Sequence, residues 1–295
     1  TRVVGHRLAG PSSGVTLMTT LRPLLVGIVL ATLWVIAHTT WQLTRVRGGP
    51  QSTGVAADQS QQAGGPSQPV EDTTDPPDDA DAAHTLRRQR MVSQQLEARD
   101  ITDKRVLEAM LKVPRHHFVR DDLIDRAYHD MPLPIEHGQT ISQPYIVALM
   151  TQLAQPAETA VALDVGTGSG YQAAVLSLLC KHVYSIEIIE GLAETARERL
   201  EHQGYENVTV RAGDGYGGWP EHAPFDLIIV AAAPERVPQP LIDQLKPGGR
   251  LVIPVGRHYQ SLVVVHKEQD GTVRREQVIP VAFVPMTGQA QKDDP

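Results

Sequence analysis

The chain is nearly devoid of cysteine and poor in aromatic residues. Its 295 residues include a single cysteine, Cys180, and only 4% Phe, Trp and Tyr. One cysteine excludes an internal disulfide and a cysteine-based zinc site. Because its neighbours (AAVLSLLCKHV) place apolar residues at helical spacing, we expect Cys180 to pack in the core. The 24 glycines and 22 prolines predict many turns and connections, as in an α/β fold.

Positive charge is missing from residues 48–86, which contain acidic residues but no Lys or Arg. This stretch is rich in Gln, Gly, Pro and Ser, and it has almost no large apolar side chain. It buries too little apolar surface to offset the entropy of ordering, so residues 48–85 are predicted to be a disordered acidic linker. The domain that follows, residues 86–295, is mildly acidic, which argues against a nucleic-acid-binding protein.

The N-terminal segment, residues 1–47, carries an apolar run from Leu24 to Ala37 that contains no charge. A bilayer span needs about 20 residues, a length that the run approaches only if it extends to Trp41. Three interpretations of residues 24–41 stay open: an uncleaved membrane anchor, a signal peptide, or a reading frame that starts too early, with Met18 as the alternative start. Arginines flank both ends, so the positive-inside rule does not set an orientation.

Residues 86–295 have the pattern of an α/β domain with a helical preface. Helices are predicted over 86–99 and 103–113, with Thr102 or Asp103 as the N-cap of the second and Pro114 ending it, and over 144–153. Strands and helices then alternate, which predicts a doubly wound, mostly parallel sheet. The predicted strands are 160–165, 182–186, 208–212, 227–231, 250–254, 260–267 and 278–284, and the predicted helices are 171–179, 191–203 and 238–245.

A glycine-rich loop follows the first strand of this sheet. ALDVGTGSG places Asp164 before Gly166, Gly168 and Gly170, directly ahead of a helix. Such a loop lets a ligand approach the backbone and the helix N-terminus, although the spacing is not the one that binds a dinucleotide.

Two more acids end the next two strands. Glu187 is placed to accept hydrogen bonds from ribose hydroxyls, and Asp214 with Gly215 to hold an adenine edge. The carboxyl ends of successive parallel strands face one crevice, so the three positions predict a nucleoside-like ligand there.

Residues 161–256, including LIDQLKPGGRLVIPVG, resemble class I S-adenosylmethionine methyltransferases, and residues 89–287 resemble protein-L-isoaspartate O-methyltransferases. The most specific stretch is GQTISQPYIVA, residues 138–148. The resemblance implies a Rossmann-like fold, S-adenosylmethionine as cofactor, Ser142 as the catalytic residue, and a substrate pocket formed by Thr140, Ile141 and Gln143. Thr287, in VPMTG, corresponds to a late segment near the cofactor. Glu136 departs from the glycine expected in this family.

The family's reaction methylates the α-carboxylate of L-isoaspartyl residues in damaged proteins, a repair step. The resemblance therefore implies proteins or peptides carrying L-isoaspartate as partners and no nucleic acid. No metal site is expected, because His116, His117, His129 and His137 are irregularly spaced. A methyltransferase for another substrate and a non-catalytic S-adenosylmethionine-binding protein remain alternatives. Cofactor supply favours a cytoplasmic catalytic domain, tethered to the membrane if residues 24–41 are an anchor. The oligomeric state is left open.

Overall fold

The computed structural model describes residues 79–292. The apolar run at 24–41 and most of the predicted linker lie outside these residues. Within the described range, none of the helices has both the length and the apolar composition that a bilayer crossing requires.

The described chain begins with the helical preface. Helix α1 (Asp79–Met91) continues into a π-helical turn (Val92–Glu97), and α2 (Lys104–Lys112) follows. Asp103 is the N-cap of α2, where its carboxylate accepts a hydrogen bond from the amide of Arg105. The prediction of disorder up to residue 85 is wrong at its end, because α1 begins at Asp79. Ala, Leu and Arg in this stretch are good helix formers, and the helix leads directly into the buried Met91.

A seven-stranded sheet forms the centre of the domain. Its strand order is β5-β4-β3-β6-β7-β8-β9, with β3 to β7 parallel and β8 and β9 antiparallel. This confirms the predicted doubly wound, mostly parallel sheet. The strands are β3 (Val161–Val165), β4 (His182–Glu187), β5 (Val208–Ala212), β6 (Phe225–Val230), β7 (Leu245–Val255), β8 (Gln260–Lys267) and β9 (Val273–Val281). A separate antiparallel pair, β1 (Leu133–Pro134) and β2 (Thr140–Ile141), precedes them.

Helices cover both faces of the sheet, as a parallel sheet requires. They are α3 (Pro144–Ala154), α4 (Tyr171–Ser177), α5 (Glu190–His202) and α6 (Gln239–Asp243). Neighbouring residues of β3 point to opposite faces, so Ala162 belongs to one apolar cluster and Leu163 to the other. Cys180 is buried in the first cluster, as predicted.

Two strand boundaries differ from the prediction. Residues 246–249 connect the predicted helix 238–245 to the predicted strand 250–254, but the structure places them inside β7. Gly248 has a φ of 84° there, and the pairing with β6 shifts register between Phe225 and Leu227. The irregularity is a bulge, which admits Pro247 to the strand. Strand β9 runs from Val273 to Val281 rather than to the predicted residue 284, and residues 284–286 instead hydrogen-bond to Ala233.

Candidate active site

A cavity of about 320 Å³ lies at the carboxyl ends of β3, β4, β5 and β6. Nine of the predicted site residues line it, namely Thr140, Ile141, Ser142, Gly166, Gly168, Glu187, Asp214, Gly215 and Thr287. Three do not, namely Gln143, Asp164 and Gly170. The cavity therefore has three parts. Residues 140–142, before the sheet, form one wall, the ends of the parallel strands form the floor, and residues 284–287 form the second wall.

The glycine loop between β3 and α4 has the backbone that glycine permits. Gly166, Gly168 and Gly170 have φ angles of 91°, 52° and 92°. A side chain at any of them would be strained. Gly170 serves packing rather than ligand binding, because a Cβ there would lie 3.3 Å from the side chain of Leu200 on α5. The close approach of α5 sets the position of the loop.

Glu187 ties the glycine loop to the end of β4. Its buried carboxylate accepts hydrogen bonds from the amide of Gly168 at 2.8 Å and from the amide of Ile189 at 3.0 Å. Each carboxylate oxygen retains lone-pair capacity for a ligand hydroxyl. The side chain therefore orders the loop and presents an acceptor to the cavity at once.

Asp214 and Gly215 form the next part of the floor. The Asp214 carboxylate accepts hydrogen bonds from the amides of Tyr216 at 2.9 Å and Gln289 at 2.7 Å. A Cβ at Gly215 would lie 2.4 Å from Cγ1 of Val165, so the backbone approaches β3 more closely than any side chain allows. The contact with Gln289, from the end of the domain, could not be seen in the sequence.

Asp164 lies beneath the cavity rather than in its wall. It is fully buried, and its Oδ2 accepts a 2.7 Å hydrogen bond from the hydroxyl of Ser185, which in turn lies 2.6 Å from the Thr167 hydroxyl. Burial raises the pKa of Asp164 to about 7, against the lowering effect of the Ser185 hydrogen bond and with a further rise from the charge of Glu187. Asp164 is thus linked through two hydroxyls to the glycine loop.

The substrate-side wall is carried by the β1–β2 hairpin. In its turn, His137 and Gly138 both have positive φ angles, 55° and 71°, the pattern of a type I′ hairpin turn. Glu136 is exposed in the same turn. Its charge partly offsets the lowering of the Arg199 pKa by burial, and Arg199 donates a 2.7 Å hydrogen bond to the carbonyl of Ser169 in the glycine loop. The hairpin is therefore coupled to the loop through α5.

Ser142 follows β2 and is half-buried in the cavity wall. It does not cap α3, since Gln143 occupies the N-cap position. The described residues offer the Ser142 hydroxyl no hydrogen-bond partner. Gln143 turns away and donates a 2.7 Å hydrogen bond to Asp130. Of these two neighbouring polar side chains, only Ser142 is free to contact a ligand.

Several lining residues went unpredicted. Ile188 and Ile189 follow Glu187, and Val284, Pro285 and Met286 precede Thr287. The Ile188 side chain is 40% exposed and so presents apolar surface to the cavity. The sequence signal that could have identified Ile188 and Ile189 is their place directly after Glu187, the acid that ends a strand. Val284 was assigned to the end of the predicted last strand, and no local signal marked Pro285 and Met286 as lining residues.

These residues fit S-adenosylmethionine. Glycines leave the loop without side chains where a ligand lies against the backbone, Glu187 and Asp214 supply acceptors at the ends of adjacent strands, and Ile188 and Ile189 offer apolar surface beside them. A nucleoside carrying a charged amino-acid tail needs all three kinds of contact. Fold and site together define the class of S-adenosylmethionine-dependent methyltransferases.

Comparisons with known proteins narrow this class to one family. The family model for protein-L-isoaspartate(D-aspartate) O-methyltransferase matches residues 86–291. The chain is 61% identical over 189 residues to protein-L-isoaspartate O-methyltransferase 2 of Polaromonas sp., covering 63% of this chain and 90% of the relative. It is 59% identical over 188 residues to the enzyme of the same name from Syntrophobacter fumaroxidans, covering 63% and 76%.

Solved structures agree. One protein-L-isoaspartate O-methyltransferase aligns with a TM-score of 0.64 and 28% identity, over 69% of this chain and 67% of that one. A second, from Plasmodium falciparum in complex with S-adenosyl-L-homocysteine, aligns with a TM-score of 0.60 and 25% identity, over 68% and 98%. The chain belongs to the protein-L-isoaspartate(D-aspartate) O-methyltransferase family. It is accordingly an S-adenosylmethionine-dependent enzyme whose substrates are proteins that contain isoaspartyl residues.

Proposed function

We propose that this domain methylates the α-carboxylate of L-isoaspartyl residues with Ser142 as the catalytic residue. In this proposal Thr140 and Ile141 line the substrate pocket. The cofactor is held by the glycine loop together with Glu187, Asp214, Gly215 and Thr287. The observation that carries the proposal is the Ser142 hydroxyl, which lines the cavity and has no hydrogen-bond partner among the described residues. Because Ser142 is only half-buried and lines the cavity, its hydroxyl is available to bond a ligand there.

The chemistry asks little of the protein beyond placement. S-adenosylmethionine supplies a methyl group on a sulfonium, so the S–CH₃ bond breaks as the O–CH₃ bond forms and S-adenosylhomocysteine leaves. The attacking carboxylate is already ionised at neutral pH, so the site needs no strong general base. The Ser142 hydroxyl donates to one carboxylate oxygen and so orients the other toward the methyl group. Fixed orientation and removal of water account for the rate enhancement.

Gln143 and Asp164 act indirectly in this proposal. Gln143 fixes the start of α3 through Asp130, which holds Ser142 in place. Asp164 supports the glycine loop from below through Ser185 and Thr167. Both are positioning residues, since neither lines the cavity.

The test is methyl transfer from labelled S-adenosylmethionine to paired peptides that differ only in L-isoaspartate versus L-aspartate. The full chain should label the isoaspartyl peptide alone, as a base-labile ester. Ser142→Ala should lower kcat roughly 10- to 100-fold, the effect of losing one hydrogen bond to a charged group. Ser93→Ala, an exposed serine on the preface, is the matched control and should leave kcat unchanged.

Cofactor binding without transfer to either peptide would contradict the proposal and favour a non-catalytic binding protein. Transfer to both peptides would indicate another substrate. An unchanged kcat in Ser142→Ala would remove this residue from the mechanism while leaving the activity assigned.

We further propose that the catalytic domain works in the cytoplasm, where its cofactor is supplied. A reporter fused after Pro295 should then be active in the cytoplasm. Reporter activity confined to an exported compartment would overturn this assignment.

A further inference from the structure

The turn between β7 and β8 presents an aromatic side chain at the edge of the sheet that holds the cavity. Strand β7 runs parallel to β3, so its carboxyl end and this turn lie at the same edge. Tyr259 is 96% exposed, whereas the other exposed large apolar side chains of the described residues reach at most 47%. Gly256 has a φ of 128°, and a Cβ there would lie 2.2 Å from the carbonyl oxygen of Tyr259. The turn is thus tightly folded beneath an outward-facing ring.

This turn is held from two sides. The amide of Gly256 donates a 3.0 Å hydrogen bond to the carbonyl of Pro234, and Arg257 forms a 3.1 Å ion pair with Glu235. The Gln260 side chain donates to the carbonyl of Phe283 at 3.1 Å and accepts from its amide at 2.6 Å. A fully exposed ring on so constrained a turn loses little further backbone entropy when it binds a partner.

The anchoring also joins the Tyr259 turn to a segment that lines the cavity. Phe283 is followed by Val284, Pro285, Met286 and Thr287, all of which line the cavity. The path from the ring through Gln260 and Phe283 to Val284 is short, roughly 10–15 Å at the spacing of extended chains and paired strands. An extended peptide covers that distance in about three or four residues.

We propose that Tyr259 forms a subsite for the polypeptide substrate, packing against an apolar or aromatic side chain three or four positions from the isoaspartyl residue. The inference rests on the proposed function of the cavity and extends it to the flanking sequence. Tyrosine suits this purpose because it offers a large, rigid contact surface with few rotatable bonds.

A substrate fits this feature better than a second copy of the chain does. A single aromatic ring buries on the order of 150–250 Å², whereas a stable protein interface needs about 1,000 Å² or more. A subsite that adds to the affinity of an already bound peptide needs only the smaller area. Self-association through Tyr259 is therefore the alternative that the experiment must exclude.

The experiment uses the full chain and three kinds of isoaspartyl peptide. The first is short, with two residues on each side of the isoaspartate. The other two are extended by four residues on one side or the other, and the extensions carry either leucine and tyrosine or glycine and serine. Kinetic constants are measured for the natural chain, Tyr259→Ala, Tyr259→Phe and the control Val273→Ala, which shortens an exposed side chain on β9.

The natural chain should show a KM roughly fivefold or more lower for one apolar extension than for its glycine-serine counterpart, the effect of partly burying one aromatic ring. Tyr259→Ala should abolish this difference, and Tyr259→Phe and Val273→Ala should retain it. The short peptide should be turned over equally by all four proteins, because it does not reach Tyr259.

Equal KM differences in the natural chain and Tyr259→Ala would overturn the subsite. So would a concentration-dependent dimer, seen by sedimentation, that Tyr259→Ala abolishes without any change in peptide kinetics. Failure of every protein to methylate the short isoaspartyl peptide would instead overturn the proposed function, and the subsite with it.

Discussion

The carboxylate of Asp214 accepts a 2.7 Å hydrogen bond from the backbone amide of Gln289, which fastens the last turn of the domain to the end of β5. Gly288, just before it, lies so close that a Cβ would approach Oδ2 of Asp214 to 2.4 Å. The floor of the cavity and the segment that carries Thr287 are therefore held together through Asp214.

Replacing Asp214 by alanine should weaken the attachment of the Thr287 segment to the cavity floor. The change removes the acceptor for the amides of Tyr216 and Gln289, so we expect about 10-fold weaker binding of S-adenosylhomocysteine. Calorimetry measures the affinity, and hydrogen exchange should show faster exchange over residues 286–292. Asp121→Ala, an exposed carboxylate on the preface, is the control. Unchanged exchange at Gln289 would show that the hydrogen bond does not hold the segment.

Glu187→Gln tests the acceptor at the end of β4. Glutamine keeps the shape but loses the charge, and one of its two terminal atoms can no longer accept from Gly168 or Ile189. We expect the Kd for S-adenosylhomocysteine to rise roughly 10- to 100-fold. Glu194→Gln, exposed on α5, should have no effect. Equal affinities for the two variants would argue that Glu187 contacts neither the loop nor the ligand in solution.

The buried Asp164 predicts a specific pH dependence of stability. Its pKa is about 7 in the folded domain against 3.8 for an ordinary aspartate. Between these values the folded state holds more protons than the unfolded state, so the free energy of unfolding falls as the pH rises toward 7 and levels off above it. In the cofactor-free protein, Asp164→Asn should remove this component.

Urea unfolding at about pH 6 and about pH 8 measures the effect. The natural chain should lose more stability between the two conditions than Asp164→Asn does. Asp121→Asn should behave like the natural chain. An identical loss in all three proteins would mean that Asp164 is ionised throughout this range.

Cys180 should be chemically inert in the folded protein. Burial raises the pKa of its thiol to about 12, with a further rise from the charge of Asp226 against a lowering effect of Arg105. At about pH 8 almost no thiolate is present for alkylation. Iodoacetamide, followed by mass spectrometry, should modify the unfolded chain fully and the native chain very slowly. Rapid modification of the native protein would show that the turn after α4, which carries Cys180, opens.

Local patterns predicted the helix starts and the glycine loop because each is specified within a few residues. Asp103 caps α2 and Pro144 starts α3, as their residue types favour. The glycine loop was recognisable because glycine alone tolerates its φ angles.

What escaped prediction depends on partners far along the chain. Asp164 was expected in the cavity wall, but it pairs in register with Ser185 on β4, and this hydroxyl draws its carboxylate inward. Residues 246–249 were predicted as a connection between a helix and a strand, because nothing near Pro247 reveals the bulge opposite β6. Both outcomes depend on strand register, which a single sequence leaves undetermined.

The two walls of the cavity have a consequence for protein synthesis. One wall is supplied by residues 140–142 and the other by residues 284–287, which lie about half the chain apart. A nascent chain on the ribosome has made its first wall, the glycine loop and the strand ends long before the second wall is translated. The cavity thus stays incomplete until residues 284–287 have been translated, and a chain that stops before them lacks the second wall.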